Sequence, residues 1–251
     1  MKLRVAPTFL SPQSEGRRFI DQTDARIRVP SRRYCPANRE YASAISRPRQ
    51  KLFRFKGYEY YAGHYGYCVF EEVNDGHALV TNFRNPVSRI FSLYNFWRKN
   101  VPESYLEQML EVDAAPVREA RTKSFSEFIR SENPNLRLYM DNAHYRQILD
   151  TWYVDRAPTW SDFTKVLKRI IGMKWFFVTE FSGLSQVALR RAFPEAGFSN
   201  IPVTNESRDK QSQHSPSGKD VIYLIGRNSV DFAIYIFAVA LLIWRIRPGS
   251  R

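Results

Sequence analysis

A short apolar run followed directly by a proline-started helix is the feature that most constrains this chain. Ala78, Leu79 and Val80 form the apolar run and predict a buried strand that leads to Arg84. Pro86 predicts the first position of a helix, because its fixed φ suits that position and its missing N–H is not needed there. Apolar residues at helical spacing predict that one face of this helix is buried: Val87, Ile90, Phe91, Tyr94 and Trp97.

Arg84 therefore lies between the end of a strand and the beginning of a helix. The positive end of a helix beside a guanidinium is a favourable place for a phosphate-like anion. Ser92 follows two turns into the helix, and its hydroxyl is a further hydrogen-bond donor. The residues predict an anion site, and an ordinary strand-to-helix turn with a surface arginine is the alternative.

The rest of the chain alternates between helical and extended patterns. Residues 162–171 have the period of an amphipathic helix, and Trp175–Val178 reads as a short apolar strand before a helix that begins at Ser182 or Gly183. Another helix is predicted to begin near Ser124 and to end at Asn133-Pro134, because proline disfavours helical geometry in the residue before it. Strands that alternate with helices predict an α/β fold with helices on the faces of a sheet.

The segment Arg84-Asn85-Pro86, with Arg89 and Ser92 after it, resembles the 3′-phosphate-binding motif of PAPS-dependent carbohydrate O-sulfotransferases, the uronyl and heparan 2-O-sulfotransferase-like group with its bacterial relatives. PAPS is 3′-phosphoadenosine 5′-phosphosulfate, the sulfate donor. The resemblance implies a P-loop-like, three-layer α/β fold with a parallel sheet flanked by helices. It also implies transfer of a sulfuryl group from PAPS to a carbohydrate hydroxyl without a metal, with Arg84 and Ser92 holding the 3′-phosphate.

His64 is the candidate catalytic base. The free pKa of histidine lies near neutrality, which suits it to accept the proton of an attacking hydroxyl. Glycines on both sides of it allow close approach of the backbone. The Gly63-His64 pair resembles a Gly-His motif of the uronyl 2-O-sulfotransferase-like branch, and this resemblance implies the same role. A histidine in an aromatic turn, with no part in proton transfer, is the alternative.

Asn142 and Arg146 lie in a stretch that resembles the family motif Asp-Asn-x-x-Thr-Arg-x-Leu, with Tyr145 in place of the threonine. The resemblance implies a position near the acceptor site, where Arg146 contacts an acidic sugar. A helix start capped by Asp141 or Asn142 is the alternative. Arg208 lies in a segment that resembles a loop closing over the nucleotide, which implies contact with the donor phosphates; a solvated loop arginine is the alternative.

The 5′-phosphosulfate loop of the family, roughly Pro-Lys-Thr-Gly-Ser/Thr-Thr after the first strand, is not evident in this sequence. Residues 5–10 lack its lysine and glycine, and the first strand is also missing. A second interpretation therefore stays open. In it the chain is a truncated or inactive sulfotransferase relative that binds nucleotide or glycan without turnover.

Positive charge is concentrated in the amino-terminal part of the chain. Residues 1–56 hold 14 Lys and Arg against 4 Asp and Glu, whereas residues 57–251 hold 24 against 21. Because residues 11–50 are also rich in Arg, Ser and Pro, they predict a basic, poorly ordered segment at 1–56 before a sulfotransferase-like domain at 57–251. A basic nucleic-acid-binding protein is an alternative function, although the resemblance favours a carbohydrate partner over nucleic acid.

Residues 232–244 form the longest apolar run, bounded by Asp231 and Arg245. A spanning helix needs about 20 residues, so a buried helix is predicted, with a tail anchor as the alternative. The run resembles the family's closing helix through Asp231, Tyr235 and Ala238, as residues 176–184 resemble its preceding strand and helix. Because the run is apolar on all faces, its outward face is predicted to contact a partner or a membrane surface. We expect a cytoplasmic or peripheral membrane protein of bacterial type, or a Golgi enzyme only if an amino-terminal anchor is missing from this chain.

Overall fold

The computed structural model describes residues 34–35, 60–61, 67, 70–71, 78–151, 157–194 and 215–249. Within these ranges helices predominate, and the strands form two short parallel pairs. The strands are β1 (Tyr34–Cys35), β2 (Tyr60–Tyr61), β3 (Val80–Phe83) and β4 (Trp175–Val178). The helices are α1 (Pro86–Asn100), α2 (Glu103–Leu106), α3 (Glu111–Thr122), α4 (Phe125–Ile129), α5 (Pro134–Met140), α6 (Ala143–Leu149), α7 (Trp160–Gly172), α8 (Ser182–Ala192), α9 (Gly218–Arg227) and α10 (Ser229–Arg245).

β3 and β4 pair in parallel over their whole length, so the predicted strands before Arg84 and at Trp175–Val178 are both confirmed. Parallel strands need a long crossover connection, and here helices α1 to α7 lie between them. The two strands end at the same edge, where the Thr179 hydroxyl donates a hydrogen bond to the Phe83 carbonyl at 3.3 Å. The segments that follow the strands are thereby brought together at one edge of the pair.

α1 begins where the sequence predicts, and three of its five predicted positions are buried, whereas Val87 and Phe91 are half-buried. Pro86 occupies the first helical position, and Ile90, Tyr94 and Trp97 are buried. These three side chains form one hydrophobic core with apolar residues of α2, α3, α4, α5 and α9. Full burial of a side chain such as Ile90 stabilises the fold by about 1.5–3 kcal/mol. The core therefore fixes the direction in which α1 leaves β3.

A second hydrophobic core joins the strand pair to α10. Ile234, Ala238 and Leu242 lie one turn apart on α10, and none of the three is more than 1% exposed. They pack with Phe83 of β3 and Phe176 of β4, whose rings meet edge to face at 5.3 Å. The predicted buried face of the carboxy-terminal helix is therefore confirmed.

The predicted helix end at Asn133-Pro134 is wrong. α4 already ends at Ile129, and Pro134 is the first residue of α5. The Asn133 side chain accepts a hydrogen bond from the Asn135 N–H at 3.0 Å and caps this new helix. An Asn-Pro pair is compatible with either outcome, and the side-chain cap selects the helix start.

The observed architecture, mostly helical with a small parallel sheet, is compatible with the predicted α/β class. The finer expectation of a three-layer sulfotransferase fold stays a prediction, as does the division at residue 56, because only Tyr34–Cys35 of that segment is described. Among the described helices, none alone has the length and hydropathy of a membrane span. α9 and α10 pass that test only as a pair, bent by 88°.

Candidate anion-binding site

Arg84 follows β3 directly and stands two residues before the start of α1. Its side chain is half-buried, and no hydrogen bond or ion pair joins it to another described residue. Its Nε atom is fully buried without a hydrogen-bond partner. Burial lowers the pKa of Arg84, and the Glu180 carboxylate partly offsets that effect. A partly buried guanidinium without such partners is a strong candidate to bind an anion, because burying an unpaired charge is unfavourable.

The first turn of α1 satisfies its own backbone donors. The Asn85 side chain accepts hydrogen bonds from the N–H groups of Val87 at 3.0 Å and Ser88 at 3.4 Å. The Arg89 N–H donates to the Asn85 carbonyl at 2.8 Å, and Pro86 has no N–H. An anion beside Arg84 would therefore feel the positive end of the helix through its field, without direct bonds to these amides.

Ser92 lies on α1, six residues after Pro86, which places it about 9 Å along the helix axis. Its side chain is half-buried, and its hydroxyl makes no hydrogen bond to another described residue. Ser88 lies one turn before it on the same side of the helix. Ser88 and Ser92 therefore present hydroxyl groups along one side of α1, at increasing distance from its start beside Arg84.

Glu180 connects three elements at the edge where the strands end. One oxygen of its carboxylate accepts a hydrogen bond from the Asn85 N–H at 3.0 Å, and the other accepts one from the Tyr235 hydroxyl at 3.2 Å. Burial and the Glu180 carboxylate raise the pKa of Tyr235 to about 12. Glu180 thus joins the segment after β3 to α10 and adds negative charge near Arg84. The sequence indicated a strand followed by a helix in this segment, but not this connection.

Asn142 holds the α5–α6 junction against the α9–α10 junction. Its backbone is left-handed, with φ of 43°. Its side-chain oxygen accepts a hydrogen bond from the Asp231 N–H at 3.1 Å, and its side-chain N–H group donates to the Arg227 carbonyl at 3.3 Å. Its own N–H donates to the Asn228 side chain at 2.9 Å. These contacts explain its position structurally, and its role toward an acceptor stays a prediction.

Arg146 is almost fully buried in α6. It donates hydrogen bonds to the carbonyls of Asp141, at 2.7 Å, and Leu138. Its Nη1 atom has no hydrogen-bond partner, and burial lowers the pKa of Arg146 to about 10. The predicted contact of Arg146 with an acidic sugar stays a prediction. The observed contacts are with the end of α5.

Asp231 is fully buried and caps α6 from another helix. Its carboxylate accepts hydrogen bonds from the N–H groups of His144 at 3.1 Å and Tyr145 at 2.8 Å, while the Asn142 side chain makes no cap bond. Asp231 also lies 3.8 Å from the buried Arg89 guanidinium, which donates to the carbonyls at the end of α5. The sequence singled out Asp231 only as the boundary of the apolar run and through the resemblance. Its capping role depends on contacts between residues 86 or more positions apart, which no local pattern reveals.

His64 and Arg208 lie outside the described residues, so their predicted roles stay predictions. In the part of the chain that the structure describes, no group of three or more His, Cys, Asp and Glu side chains is placed to hold a metal ion. The described part of the candidate site therefore consists of Arg84 and Ser92, with Asn85 and Glu180 shaping the segment around them.

Comparisons with known proteins do not identify a family for this chain. No family model matches the sequence, and no curated protein matches it significantly. The resemblance described above therefore depends on the motif around Arg84 and on the order of the weaker motifs along the chain.

Proposed function

We propose that this chain is a sulfotransferase that moves a sulfuryl group from PAPS to a carbohydrate hydroxyl. The observation that carries the proposal is Arg84, a half-buried guanidinium without a described partner at the carboxyl end of a parallel strand. Parallel α/β sheets bind ligands at that end of their strands. The spacing of Arg84, Pro86 and Ser92 in the sequence supports assigning the 3′-phosphate of the donor to this position.

Arg84 and Ser92 have complementary tasks in this proposal. The planar guanidinium offers a fork of N–H donors to two phosphate oxygens, which a single point charge would not orient. The Ser92 hydroxyl donates one further hydrogen bond from the body of α1. Because α1 is fixed by its buried face, Ser92 is held in place before the ligand arrives, which lowers the entropy lost on binding. Arg84 lies two residues before this helix, directly after β3.

The proposed reaction requires a base as well as a phosphate site. The acceptor hydroxyl oxygen forms a bond to sulfur while the bond between sulfur and the donor phosphate oxygen breaks. The products are a sulfate ester and adenosine 3′,5′-bisphosphate, abbreviated PAP. The hydroxyl proton passes to a base, for which the sequence offers His64. Arg146 and Asn142 are the proposed contacts of an acidic acceptor, and Arg208 is a proposed contact of the donor.

A relative that binds PAP without turnover is the second candidate function. The observation that favours it is the absence from the sequence of a recognisable 5′-phosphosulfate loop. In a catalytic relative that loop holds the 5′-phosphate, which is bonded to the sulfuryl group before transfer. A chain without it would retain the 3′-phosphate site and lose the stabilisation of the leaving phosphate.

Calorimetric titration with PAP tests the phosphate site. We expect the wild-type chain to bind PAP with micromolar affinity and Arg84→Ala to bind at least about tenfold more weakly. Arg118→Ala is the matched control, because Arg118 is an exposed arginine of α3 that pairs with Glu111 of the same helix and not with the residues around Arg84. Equal affinities of wild type and Arg84→Ala would overturn the assignment.

Turnover separates the two candidate functions. The wild-type chain is incubated with PAPS and a panel of acidic and neutral glycans, and formation of PAP and of sulfated glycan is followed together. The sulfotransferase proposal predicts both products, and their loss in His64→Ala with PAP affinity retained. PAP binding without either product would favour the non-catalytic relative.

A further inference from the structure

α10 exposes an apolar stripe on the side opposite its buried face. Ala233, Ile236, Ala240 and Ile243 are exposed and repeat at intervals of three and four residues, so they lie along one side of the helix. Ile236 is 64% exposed, whereas Ile234, two residues before it, is completely buried. A helix that serves only to cover a core normally presents polar residues to water on this side. The stripe therefore indicates a surface that contacts something apolar.

The stripe ends in a group of arginines and large apolar side chains. Trp244 is 53% exposed, and Ile171, at the end of α7, is 54% exposed. Arg245 donates a hydrogen bond to the Ile171 carbonyl at 2.7 Å, which places the end of α7 beside the end of α10. Arg191 of α8 donates to the carbonyls of Arg245 at 3.4 Å and Arg247 at 3.2 Å. Three helices therefore contribute to one apolar and basic cluster.

Within residues 229–249 the exposed charge has one sign. Asp231 is the sole carboxylate residue between positions 229 and 249, and it is fully buried. The exposed charge of the same segment comes from Arg247, with the exposed Arg191 beside it. Arg245 is half-buried and lies over the buried Phe176 ring, at 5.1 Å from its centre. A partner that complements this surface must combine an apolar interior with negative charge at its boundary.

We propose that this surface docks onto an anionic membrane. We call it the α10 surface and define it as Ile171, Arg191, Ile236, Ile243, Trp244 and Arg247. The helix lies along the bilayer interface, its isoleucines and Trp244 enter the boundary between headgroups and acyl chains, and the arginines contact lipid phosphates. Long arginine side chains suit this arrangement, because their stems lie on apolar surface while the charged ends reach the headgroups.

A second copy of this chain fits the same surface less well. The alternation of alanine and isoleucine at heptad spacing is compatible with helix pairing. In a parallel pair, however, the arginine ends of the two α10 helices would face each other. In an antiparallel pair they would face the beginning of α10, where Asp231 is buried and both oxygens of Glu180 already accept hydrogen bonds from Asn85 and Tyr235. Neither helix pair places exposed negative charge against the arginines, whereas anionic lipid supplies it.

Co-sedimentation with vesicles tests this proposal on the full chain. We expect binding to phosphatidylcholine vesicles that contain about one third phosphatidylglycerol, and little binding to phosphatidylcholine alone. Trp244→Ala should weaken the partition coefficient about tenfold, from the apolar area it no longer inserts. Arg247→Glu should weaken the partition coefficient severalfold, and the binding that remains should depend less on salt concentration. Trp160→Ala is the matched control, because Trp160 is 78% exposed on α7 outside the α10 surface.

Each other outcome counts against the proposal. The net positive charge of segment 1–56 is also expected to attract anionic vesicles. If this segment alone were responsible for binding, the Trp244 and Arg247 variants would sediment as the wild type does. Light scattering on the same samples detects self-association. A dimer that Trp244→Ala converts to a monomer, without vesicle binding by either, would assign the surface to a second copy. Circular dichroism of each variant confirms that it is folded, and PAP affinity is independent of this experiment.

Discussion

Asp231 provides a sharp test of how the closing helix holds the fold together. Its buried carboxylate accepts two backbone hydrogen bonds from the start of α6 and faces the Arg89 guanidinium at 3.8 Å. Asp231→Asn retains the size of the side chain but removes its charge. Arg89 is 6% exposed, so this variant removes the carboxylate that faces a buried cation and leaves only the weaker attraction of Asp141. Removing one partner of a buried pair typically destabilises a protein by about 3–5 kcal/mol.

The expected size of the effect can be measured by urea unfolding. Asp231→Asn should lie at the lower limit, about 3 kcal/mol, because its amide oxygen still accepts one backbone hydrogen bond, and Asp231→Ala should approach about 5 kcal/mol. With an m value of about 3 kcal/mol/M, the midpoint for Asp231→Asn falls by about 1 M. Glu107→Gln is the control, since Glu107 is exposed and a surface change of this kind stays within about 0.5 kcal/mol.

A double-mutant cycle with Arg89→Met separates the ion pair from the cap. If Asp231 acts partly through Arg89, the two substitutions together will destabilise less than the sum of the single effects. If the effects simply add, the carboxylate acts only as the cap of α6. An unchanged urea midpoint for Asp231→Asn would refute the contribution of the carboxylate charge to the buried pair. An unchanged midpoint for Asp231→Ala as well would refute the reasoning altogether, because this variant removes both the cap and the pair.

Three further predictions concern single side chains. Burial lowers the pKa of His144 from its ordinary value of 6.5 to about 4. As the pH falls, the unfolded state therefore binds the proton first, and the free energy of unfolding should fall by about 3 kcal/mol from pH 6.5 to pH 4. His144→Gln should flatten this part of the curve of unfolding free energy against pH. Ser92→Ala should weaken PAP binding about tenfold in calorimetry, from one lost bond to a charged oxygen, without lowering the melting temperature. Glu180→Gln should tighten PAP binding about fivefold, because it keeps an oxygen for the Asn85 N–H and removes negative charge near Arg84; weaker binding would mean that the charge itself orders the site.

The strand-to-helix unit around Arg84 was predictable because its determinants are local. Pro86 fixes a helix start through its own ring, and the spacing of Ile90, Tyr94 and Trp97 fixes the buried face. The same kind of reasoning anticipated α7 and β4, whose apolar patterns are short and strong. The parallel pairing of β3 and β4 was compatible with the α/β expectation but not specified by it.

The remaining features depend on contacts that a linear sequence does not display. Asp231 caps α6 across more than 80 residues, and Glu180 reaches Asn85 across 95. Pro134 was ambiguous for a different reason, because the residue before a proline can end one helix or cap the next. The roles of Arg84 and Ser92 came from a resemblance rather than from spacing, and they need a ligand to test them.

The most direct test of the central claim compares two nucleotides that differ by one phosphate. The affinities of PAP and of adenosine 5′-phosphate are measured by calorimetry for the wild type and for Arg84→Ala. If Arg84 holds the 3′-phosphate, the wild type prefers PAP by about 2 kcal/mol, roughly thirtyfold, and Arg84→Ala loses most of that preference while its affinity for adenosine 5′-phosphate barely changes. If Arg84→Ala keeps the preference, or weakens both nucleotides equally, Arg84 does not bind the 3′-phosphate and the proposed function loses its main support.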